Sequence, residues 1–305
     1  MSGERMVRVR VPASTANLGP GFDALGMALG LYNEVEVELT GSTLALEIHG
    51  EGAERLQALG ERNLVARSVT GTLERLGIPG RGIRIRMENR IPLSRGLGSS
   101  SAAALGGVAA ALALAGASRT PEEILDLALP FEGHPDNITP ALLGGLTVST
   151  LVGGKVRCVK LPVPDGLQAV AVIPEFHLST AKARKALPPT VPRVDAVFNV
   201  GRVALFLGAL QAGRLDLLRE AAQDRLHQPY RAPLVPGMAE VLAEGDRAGA
   251  LACFLSGAGP TLLALTTGDG QAVGERMAAC WKAQANVTAH PLPLPIDRDG
   301  LKVEG

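Results

Sequence analysis

The chain has 305 residues and no net formal charge, because 30 lysines and arginines balance 30 aspartates and glutamates. Hydrophobic residues make up 46% of the sequence and charged residues 20%, which argues against a disordered chain. The balanced charge gives no overall field for nucleic acid or an anionic membrane. The length predicts two domains, and a small molecule is the favoured partner.

The N-terminal residues 1–12 alternate in hydrophobicity, which predicts a strand and not the apolar run of a secretory leader. The alternation recurs over residues 31–39 and 43–49, and Gly41 between them predicts a turn, so the opening of the chain is expected to form antiparallel strands. The three cysteines are widely spaced and form no CxxC pair. They predict free thiols in a cytoplasmic protein.

Asn63 stands at the predicted N-cap of a helix whose apolar stripe ends at Gly77 and Pro79. Residues 83–88 alternate again and predict a strand that leads into a glycine loop. Residues 96–118 carry no charge, but they are mainly glycine, alanine and serine with few large apolar side chains. This composition predicts a buried helix of a soluble protein and not a membrane span.

Thr120 begins a further helix, since Thr-Pro-Glu-Glu is a capping box with proline in the first turn. Residues 169–173 predict an apolar strand, and residues 215–226 predict a helix. Another helix is predicted from Asp195, with inward-facing side chains at Val197, Val200, Val203, Leu207 and Leu210.

The remaining chain predicts strands near residues 251–255 and 262–265, a helix over residues 271–283 and a last strand around Val287. Strands and helices mix without a regular βαβ repeat, which favours an α+β fold. The polar, proline-containing residues 160–166 are the predicted junction between two domains.

The most informative segment is a glycine loop at residues 92–103, Pro-Leu-Ser-Arg-Gly-Leu-Gly-Ser-Ser-Ser-Ala-Ala, which leads into the alanine-rich helix. Backbone N–H groups at the start of a helix favour an anion, so this loop predicts a phosphate site. It is not a Walker A loop, because no Gly-Lys-Ser or Gly-Lys-Thr follows, and Ser101 replaces the third glycine of the Rossmann fingerprint. The alternative is an ordinary glycine loop with serine caps.

Three other loops combine polar side chains with glycine. Asn17 and Asp23 lie within residues 12–26, residues 131–137 hold two carboxylates, an imidazole and an amide, and residues 255–261 form a second glycine loop. Taken singly, each has an alternative explanation: a loop of turn residues at 12–26, a solvated loop at 131–137 and a simple hairpin turn at 255–261. Their occurrence together favours a functional site.

Together these loops resemble the GHMP kinase superfamily, whose motifs occur in this order, and the homoserine kinase family in particular. The matching segments extend over nearly the whole chain and lie at residues 16–23, 92–100, 132–137, 179–184, 228–231 and 256–261. The phosphate loop alone indicates only the superfamily. The opening motif and the two arginine motifs, which contain Arg184 and Arg231, indicate the family.

The resemblance implies a two-domain α+β GHMP kinase fold, with an S5-like, ATP-binding N-terminal domain over residues 1–160 and a ferredoxin-like C-terminal domain over residues 161–305. It implies transfer of the ATP γ-phosphoryl group to the side-chain hydroxyl of L-homoserine, which yields O-phospho-L-homoserine for threonine synthesis. ATP and Mg²⁺ are the expected cofactors. A cytoplasmic homodimer without a nucleic-acid or membrane partner is expected.

The resemblance also assigns ATP and Mg²⁺ to residues of this chain. Ser100 and Glu132 would hold Mg²⁺ directly or through water, and Asn63 would contact adenine, although its N-cap role explains it equally well. The phosphates would lie on the loop formed by Pro92, Leu93, Ser94, Arg95, Gly96, Leu97, Gly98, Ser99, Ser100, Ser101 and Ala102.

The substrate residues implied by the resemblance are Asn17, Asp23, His134, Thr180, Arg184 and Arg231. The chemistry of a zwitterion agrees, because its ammonium needs an acceptor such as Asp23 and its carboxylate is suited to the forked cations Arg184 and Arg231. Mevalonate, a substrate of the same superfamily, has no ammonium. The chain has the short spacing Glu132-Gly133-His134, which leaves the exact placement of the histidine open.

The catalytic residues are predicted to be Asp23, Asp136, Asn137 and Arg231. Asp23 and Asp136 are both candidates for a general base, and the sequence does not decide between them. Because phosphoryl transfer has a loose transition state, orientation by Asp136 and Asn137 can suffice without a strong base.

Two other functions stay open at this point. One is a GHMP kinase that acts on a different hydroxy acid, and the other is a sensor that binds ATP and a metabolite without phosphoryl transfer. The presence of both Ser100 and Glu132 argues against the sensor.

Overall fold

The computed structural model describes residues 6–40, 43–78 and 82–304. Three sequence predictions lie at least partly outside these ranges: the first five residues of the opening strand, the turn at Gly41 and the helix end at Pro79. The described residues form a seven-stranded and a four-stranded sheet with helices packed on them. The predicted α+β class is confirmed.

The elements keep one numbering throughout. The strands are β1 (Met6–Ala16), β2 (Leu25–Thr40), β3 (Ala45–Gly50), β4 (Gly82–Asn89), β5 (Leu146–Val152), β6 (Lys155–Leu161), β7 (Gln168–Pro174), β8 (Ala252–Leu255), β9 (Leu262–Thr266), β10 (Ala289–Pro295) and β11 (Lys302–Glu304). The α-helices are α1 (Ala53–Gln57), α2 (Leu64–Arg75), α3 (Ser99–Ala115), α4 (Pro121–Glu132), α5 (Pro135–Leu143), α6 (Thr180–Lys185), α7 (Arg193–Ala212), α8 (Leu218–Ala221), α9 (Gln228–Arg231), α10 (Met238–Arg247) and α11 (Gly270–Ala285). Short 3-10 turns lie at Gly60–Arg62, Leu215–Leu217 and Ala232–Leu234.

The first sheet has the strand order β11-β1-β2-β4-β3, with β5 paired to β2 and β6 paired to β5. Helices α3 and α5 lie on β1 and β2, and α2 packs against α3. Most of α3 is buried, which confirms the buried helix predicted within residues 96–118. The helix can be buried almost all round because its glycines and alanines let neighbouring elements approach closely.

Strand β3 does not pair with β2, so the predicted antiparallel pairing of these two strands is wrong. It lies parallel to β4, which separates it from β2. Arg84 of β4 pairs with Glu38 of β2. Arg86 of β4 lies between Glu36 of β2 and Glu47 of β3. These opposite charges on neighbouring strands favour the position of β4 between β2 and β3.

The second sheet has the antiparallel order β10-β7-β9-β8. In chain order its strands occupy positions 4-1-3-2, the arrangement of a ferredoxin-like domain. Both faces of β7 are buried, since Val170 and Val172 pack with α10 and α11 while Ala169 and Ala171 join the larger core. This explains why residues 169–173 are apolar without alternation.

Helix α7 turns a different face to the core from the one that its periodicity predicts. Val197 and Val200 are 65% and 71% exposed, so the predicted inward stripe is wrong at these positions, although Leu210 is buried as predicted. Asn199 lies buried between them and donates to Asp224 at 2.7 Å. A buried amide needs such partners, and this fixes the rotation of the helix. Among the described residues α7 is also the one helix long and apolar enough to cross a membrane, a criterion that helices of soluble proteins also meet.

The helix predicted over residues 215–226 is wrong over most of its length. A 3-10 turn and the four-residue α8 replace it. Asp224 accounts for the break, because its carboxylate accepts hydrogen bonds at 2.7 to 2.9 Å from the N–H groups of residues 226, 227 and 228. A side chain that satisfies the backbone in this way offers an alternative to a continuous helix.

Two predicted helix starts are confirmed by their caps. Asn63 Oδ1 accepts from the Val65 N–H at 2.9 Å at the start of α2. Thr120 and Glu123 form the reciprocal capping box of α4. Caps are local interactions, and the sequence predicts them reliably when the two partners lie within three residues.

The predicted boundary at residues 160 and 161 falls on the last two residues of β6, in the first sheet, and the first strand of the second sheet, β7, begins at Gln168. The C-terminal segment returns to the first sheet, where β11 pairs with β1 and Ile296 bridges Leu29. The division into residues 1–160 and 161–305 stays a prediction.

Gly107 of α3 and Gly201 of α7 offer a matched test of the packing of α3 on α2, because both lie inside helices. A Cβ at Gly107 would lie 2.0 Å from Ser68 Oγ and 2.8 Å from the Val65 carbonyl oxygen, whereas one at Gly201 would meet no described atom within 4 Å apart from its chain neighbours and the nearby backbone of its own helix. We expect Gly107→Ala to lower the free energy of unfolding by about 1 to 3 kcal/mol. Gly201→Ala should raise it by about 0.5 to 1 kcal/mol. Urea denaturation measures both, and a stabilising Gly107→Ala would contradict the close approach.

Candidate functional site

The phosphate loop, residues 92–98, follows β4 and ends at the N-terminus of α3. Gly96 and Gly98 have φ angles of 78° and 70°, in the left-handed region. A Cβ at Gly96 would lie 2.2 Å from the Ser256 carbonyl oxygen, and one at Gly98 would lie 2.0 Å from Ser14 Oγ. Both positions therefore require glycine. The loop is folded tightly in front of a helix whose first N–H groups have no intrahelical partners, which suits an anion.

The loop between β8 and β9, residues 256–261, joins the second sheet to the phosphate loop. Ser256 Oγ lies 2.7 Å from the Gly96 carbonyl oxygen and 2.8 Å from Thr15 Oγ1. The Gly257 N–H donates to the carbonyl oxygen of Ala16 at 3.2 Å. The segment is thus the turn between two antiparallel strands and also the contact that holds β1 and the phosphate loop against the second sheet.

A cavity of about 320 Å³ lies where these loops meet. It is lined by nearly all the residues that the sequence assigned to phosphate, metal, substrate and catalysis. They are Asn17, Asp23, Pro92, Ser94, Arg95, Gly96, Leu97, Gly98, Ser99, Ser100, Ser101, Glu132, His134, Asp136, Asn137, Thr180, Arg184 and Arg231. Phe131, Gly257 and Ala258 also line the cavity. The sequence analysis placed these three within the loops at residues 131–137 and 255–261 but gave none of them a role in the site.

Glu132, the last residue of α4, is held by two serines at the start of α3. Ser100 Oγ donates to its Oε1, and Ser101 Oγ donates to its Oε2 at 2.6 Å. Burial raises the pKa of Glu132, and the two serines oppose that effect. A carboxylate and a hydroxyl in contact offer the oxygen ligands that Mg²⁺ prefers. No cluster of three or more His, Cys, Asp or Glu side chains that could hold a metal ion occurs within residues 6–40, 43–78 and 82–304.

Asp23 and Arg184 form a forked ion pair at the cavity. Arg184 Nη2 donates to Oδ1 at 2.7 Å, and Nη1 donates to Oδ2 at 3.1 Å. Asp23 has a φ of 57°, a left-handed conformation that aspartate tolerates, and Asn17 Oδ1 accepts from its N–H at 3.0 Å. Asn17 also donates from Nδ2 to the Gly257 carbonyl oxygen at 2.9 Å. Asn17 therefore fixes the loop that presents Asp23.

Arg231, the last residue of α9, is only 1% exposed although it lines the cavity. Nε donates to the Ala183 carbonyl oxygen at 3.4 Å, and Nη1 lies 3.0 Å from the Gly257 carbonyl oxygen and 3.2 Å from His227 Nδ1. Nη2 has no hydrogen-bond partner among the described residues. Burial lowers the pKa of Arg231 to about 10, which leaves the side chain charged at neutral pH. Its free edge suits an anionic ligand.

Asp136 and Asn137 lie in the first turn of α5. Asp136 is 4% exposed, and burial, followed by the nearby charge of Asp23, raises its pKa to about 7. Asn137 Oδ1 accepts from Ser14 Oγ at 2.9 Å, and its Nδ2 lies 3.5 Å from Asp136 Oδ1. Burial lowers the pKa of His134, which therefore lines the cavity as a neutral ring at neutral pH. Asp136 can exchange a proton near physiological pH.

A smaller cavity of about 160 Å³ adjoins the first at Ser94, Ser99 and Ser100. The other residues that line it are Asn33, Leu56, Asn63, Leu64, Met87, Asn89, Leu93 and Ala103. Asn63 caps α2 through Oδ1 and donates from Nδ2 to the Leu56 carbonyl oxygen at 3.3 Å, which leaves one N–H for a ligand. Ala102, which the sequence assigned to phosphate, is fully buried in α3 and lines neither cavity.

Comparison with known proteins assigns the family. The model of the GHMP kinases N terminal domain matches residues 63–145, and that of the GHMP kinases C terminal domain matches residues 206–283. Homoserine kinase of Moorella thermoacetica is 48% identical over 90% of this chain and 93% of its own length. Homoserine kinase of Aquifex aeolicus is 42% identical over 98% of this chain and 99% of its own. The chain belongs to the homoserine kinase family of the GHMP kinases.

Solved structures agree with the family and the fold. The crystal structure of homoserine kinase from Cytophaga hutchinsonii superposes with a TM-score of 0.89 at 32% identity and covers 100% of this chain and 99% of its own. A mevalonate kinase structure superposes with a TM-score of 0.70 at 16% identity and covers 96% of this chain and 99% of its own. At this identity the two proteins are alike in fold alone. The predicted GHMP kinase fold is confirmed.

The raised pKa of Asp136 predicts that this side chain lowers the stability of the folded GHMP kinase in alkali but not in acid. Its folded pKa, about 7, lies above the ordinary value of 3.8. Its contribution to stability is therefore fully present below pH 4 and is lost as the pH rises to about 7. Asparagine resembles the protonated carboxyl, so Asp136→Asn should raise the Tm by several degrees at pH 8 and change it little at pH 4.

Asp165→Asn is the matched control for this prediction, because the Asp165 side chain is 99% exposed. Calorimetry at pH 4 and pH 8 should find no comparable pH-dependent gain in Tm for the control. An Asp136→Asn variant that loses stability at pH 8, or gains equally at both pH values, would show that the buried carboxylate is not destabilising.

Proposed function

We propose that this chain transfers the γ-phosphoryl group of ATP to the side-chain hydroxyl of L-homoserine and forms O-phospho-L-homoserine for threonine synthesis. The observation that carries the proposal is one cavity in which Asp23, Arg184 and Arg231 adjoin the phosphate loop. The chain that builds this cavity is 42% and 48% identical to two proteins named homoserine kinase.

The cavity suits the two charges of an amino-acid zwitterion. Arg231 Nη2 is free to donate to a carboxylate, and the fork of Arg184 lies beside it. The Asp23 carboxylate can accept from an ammonium while it remains near Arg184. Homoserine thus enters an existing ion pair, and each of its charges meets the opposite one. Mevalonate would leave Asp23 without an ammonium.

ATP fits the two adjoining cavities. The phosphates would lie on the glycine loop and the N-terminus of α3, where backbone N–H groups and the helix dipole favour negative charge. The smaller cavity, with leucine and methionine on its walls, suits the flat purine. Asn63 lies on the same wall, and its remaining N–H is the group that would contact adenine.

Ser100 and Glu132 fit a hard cation, because their oxygens already touch and Glu132 is held by neutral serines. We place Mg²⁺ at these two residues. When bound there, Mg²⁺ would neutralise charge on the phosphates during transfer. Ser101 holds the second oxygen of Glu132, and this fixes the direction in which the carboxylate points.

The hydroxyl proton of homoserine needs an acceptor or an orienting group. Both oxygens of Asp23 are engaged by Arg184, whereas Asp136 has a pKa of about 7 and its side-chain contact with Asn137 is long, at 3.5 Å. We therefore infer that Asp136 orients the hydroxyl and accepts its proton, and that Asn137, held by Ser14, fixes the geometry. A pKa near neutrality is suited to general-base catalysis.

The cytoplasmic location and the homodimer implied by the resemblance remain predictions. So does the expected absence of nucleic-acid and membrane partners. The assembly state is measurable by sedimentation. The chemistry proposed for the site depends on none of these predictions.

The proposed reaction predicts ADP release that depends on homoserine. A coupled assay with ATP and Mg²⁺ should give turnover with L-homoserine and little with mevalonate or shikimate, because neither carries an ammonium to meet Asp23. Phosphorus NMR of the product should show a phosphate monoester. Turnover with mevalonate but not homoserine would identify a GHMP kinase for another hydroxy acid, and binding of ATP without any turnover would identify a sensor.

The fork of Arg184 predicts how the enzyme distinguishes an acid from an amide. Arg184→Lys keeps the charge but loses the paired donors, so kcat/KM for homoserine should fall by about ten- to a hundred-fold while the KM for ATP changes little. The preference for homoserine over its carboxamide should fall in parallel. Arg214→Lys is the matched control, because Arg214 forms an equally forked pair with Asp216 on the exposed surface. If the lysine variant loses ATP binding instead, Arg184 belongs to the nucleotide side.

A further inference from the structure

Three buried polar side chains lie behind Arg231 and have no role in the chemistry described above: Asn199, Asp224 and His227. Asn199 donates to Asp224 at 2.7 Å, and Asp224 accepts from the N–H of His227 at 2.9 Å. His227 is the N-cap of α9, and its carbonyl oxygen accepts from the Arg231 N–H at 3.0 Å. The cluster therefore fixes the helical turn from which Arg231 projects.

The contacts of His227 assign its proton to Nε2. The Gly19 carbonyl oxygen, which can only accept, lies 2.7 Å from Nε2, and Asp224 Oδ2 lies 3.5 Å from it. Arg231 Nη1, which can only donate, lies 3.2 Å from Nδ1. Only a neutral ring with Nε2–H and a lone pair on Nδ1 satisfies both sides. Burial lowers the pKa of His227, which agrees with a neutral ring.

Phe22 packs against this imidazole and lies close to both arginines of the cavity. Its ring stacks on His227, with centroids 5.1 Å apart and planes 20° apart. The guanidinium carbons of Arg231 and Arg184 lie 5.2 Å and 5.6 Å from the same centroid. His227 is not among the residues that line the cavity, so it can act on a ligand there only through its neighbours. The aromatic face attracts both cations and keeps them close together.

His227 also reaches the loop that presents Asp23. Gly19 lies between Asn17 and Asp23 in that loop, and its carbonyl oxygen is the acceptor for Nε2–H. A Cβ at Gly19 would lie 2.2 Å from the Ala222 carbonyl oxygen, so the loop packs tightly against the chain after α8. Nε2 of His227 thus bonds to the loop that carries Asp23, the predicted acceptor for the ammonium. Nδ1 bonds to Arg231, the predicted hydrogen-bond donor to the carboxylate.

We propose that His227 is a positioning residue for substrate recognition. Its Nδ1 lone pair engages Arg231 Nη1, so that Nη2 stays free for the carboxylate of the amino-acid substrate. Its Nε2–H holds the Gly19 loop, and this sets the distance between Arg231 and Asp23. The inference rests on the proposed function, since it assigns the spacing of the two groups that would bind a zwitterion.

Two substitutions separate the two nitrogens of His227. In His227→Asn the amide oxygen takes the place of Nδ1 and still accepts from Arg231. In His227→Gln the amide nitrogen takes the place of Nε2 and still donates to Gly19, but the acceptor for Arg231 is lost. The measurements are steady-state kinetics with homoserine and with homoserine carboxamide, together with the KM for ATP.

We expect His227→Gln to raise the KM for homoserine by roughly ten-fold or more, with a much smaller change in kcat and an unchanged KM for ATP. The preference for the acid over the amide should largely disappear. His227→Asn should keep most of that preference. His290→Gln is the control, because the His290 side chain is 68% exposed, and it should resemble the wild type in every measurement.

A His227→Gln variant that discriminates between acid and amide like the wild type would overturn the inference, and so would equal losses in the two variants. If the glutamine variant does not fold, as judged by circular dichroism, the asparagine variant decides: retained preference supports the inference and lost preference overturns it. A wild-type enzyme without homoserine-dependent turnover would refute the proposed function, whereas wild-type turnover with an unaltered glutamine variant would refute only the role of His227.

Discussion

Arg231 carries its positive charge in a place where only 1% of its surface meets solvent, and its described hydrogen-bond partners are two carbonyl oxygens and a neutral imidazole. Removing a guanidinium from water is unfavourable unless its charge is compensated. Asp23, Asp136 and Asp224 favour the charged form through space, but none of them forms a hydrogen bond with it. An anion bound in the cavity that Arg231 lines would supply the hydrogen-bonded negative charge that the guanidinium lacks. The buried charge and the unfilled donor at Nη2 together suit the carboxylate that we propose as the ligand of Arg231.

The surroundings of Arg231 also connect the two sheets. The carbonyl oxygen of Gly257 accepts from Asn17 at 2.9 Å and from Arg231 at 3.0 Å, so one oxygen joins the loop after β1, the end of α9 and the turn between β8 and β9. The adjacent Ser256 contacts Gly96 of the phosphate loop. The groups proposed for substrate and those proposed for phosphate are therefore held at a fixed separation. Phosphoryl transfer depends mainly on such positioning and on charge stabilisation.

The local sequence predicts which caps and loops make up this site, but it does not predict the long-range contacts between them. The cap at Asn63 and the glycines of the phosphate loop depend on neighbours a few residues away, and the pattern of residue types reveals them. The bond from Asn17 to Gly257 spans 240 residues, and the rotation of α7 depends on a buried amide that periodicity treats as polar. The pKa of Asp136 is set by burial and by Asp23, which only the folded chain brings near. The motifs thus predicted which side chains meet, and the long-range hydrogen bonds determine how they meet.

The most direct test of the charge-matched site is a crystal structure of the enzyme with L-homoserine, Mg²⁺ and a non-hydrolysable ATP analogue. The account predicts the homoserine carboxylate within hydrogen-bonding distance of Arg231 Nη2 and Arg184, and its ammonium beside Asp23. The hydroxyl should point toward Asp136 and the phosphate loop. A carboxylate bound away from both arginines, with the fork between Asp23 and Arg184 unchanged, would contradict it.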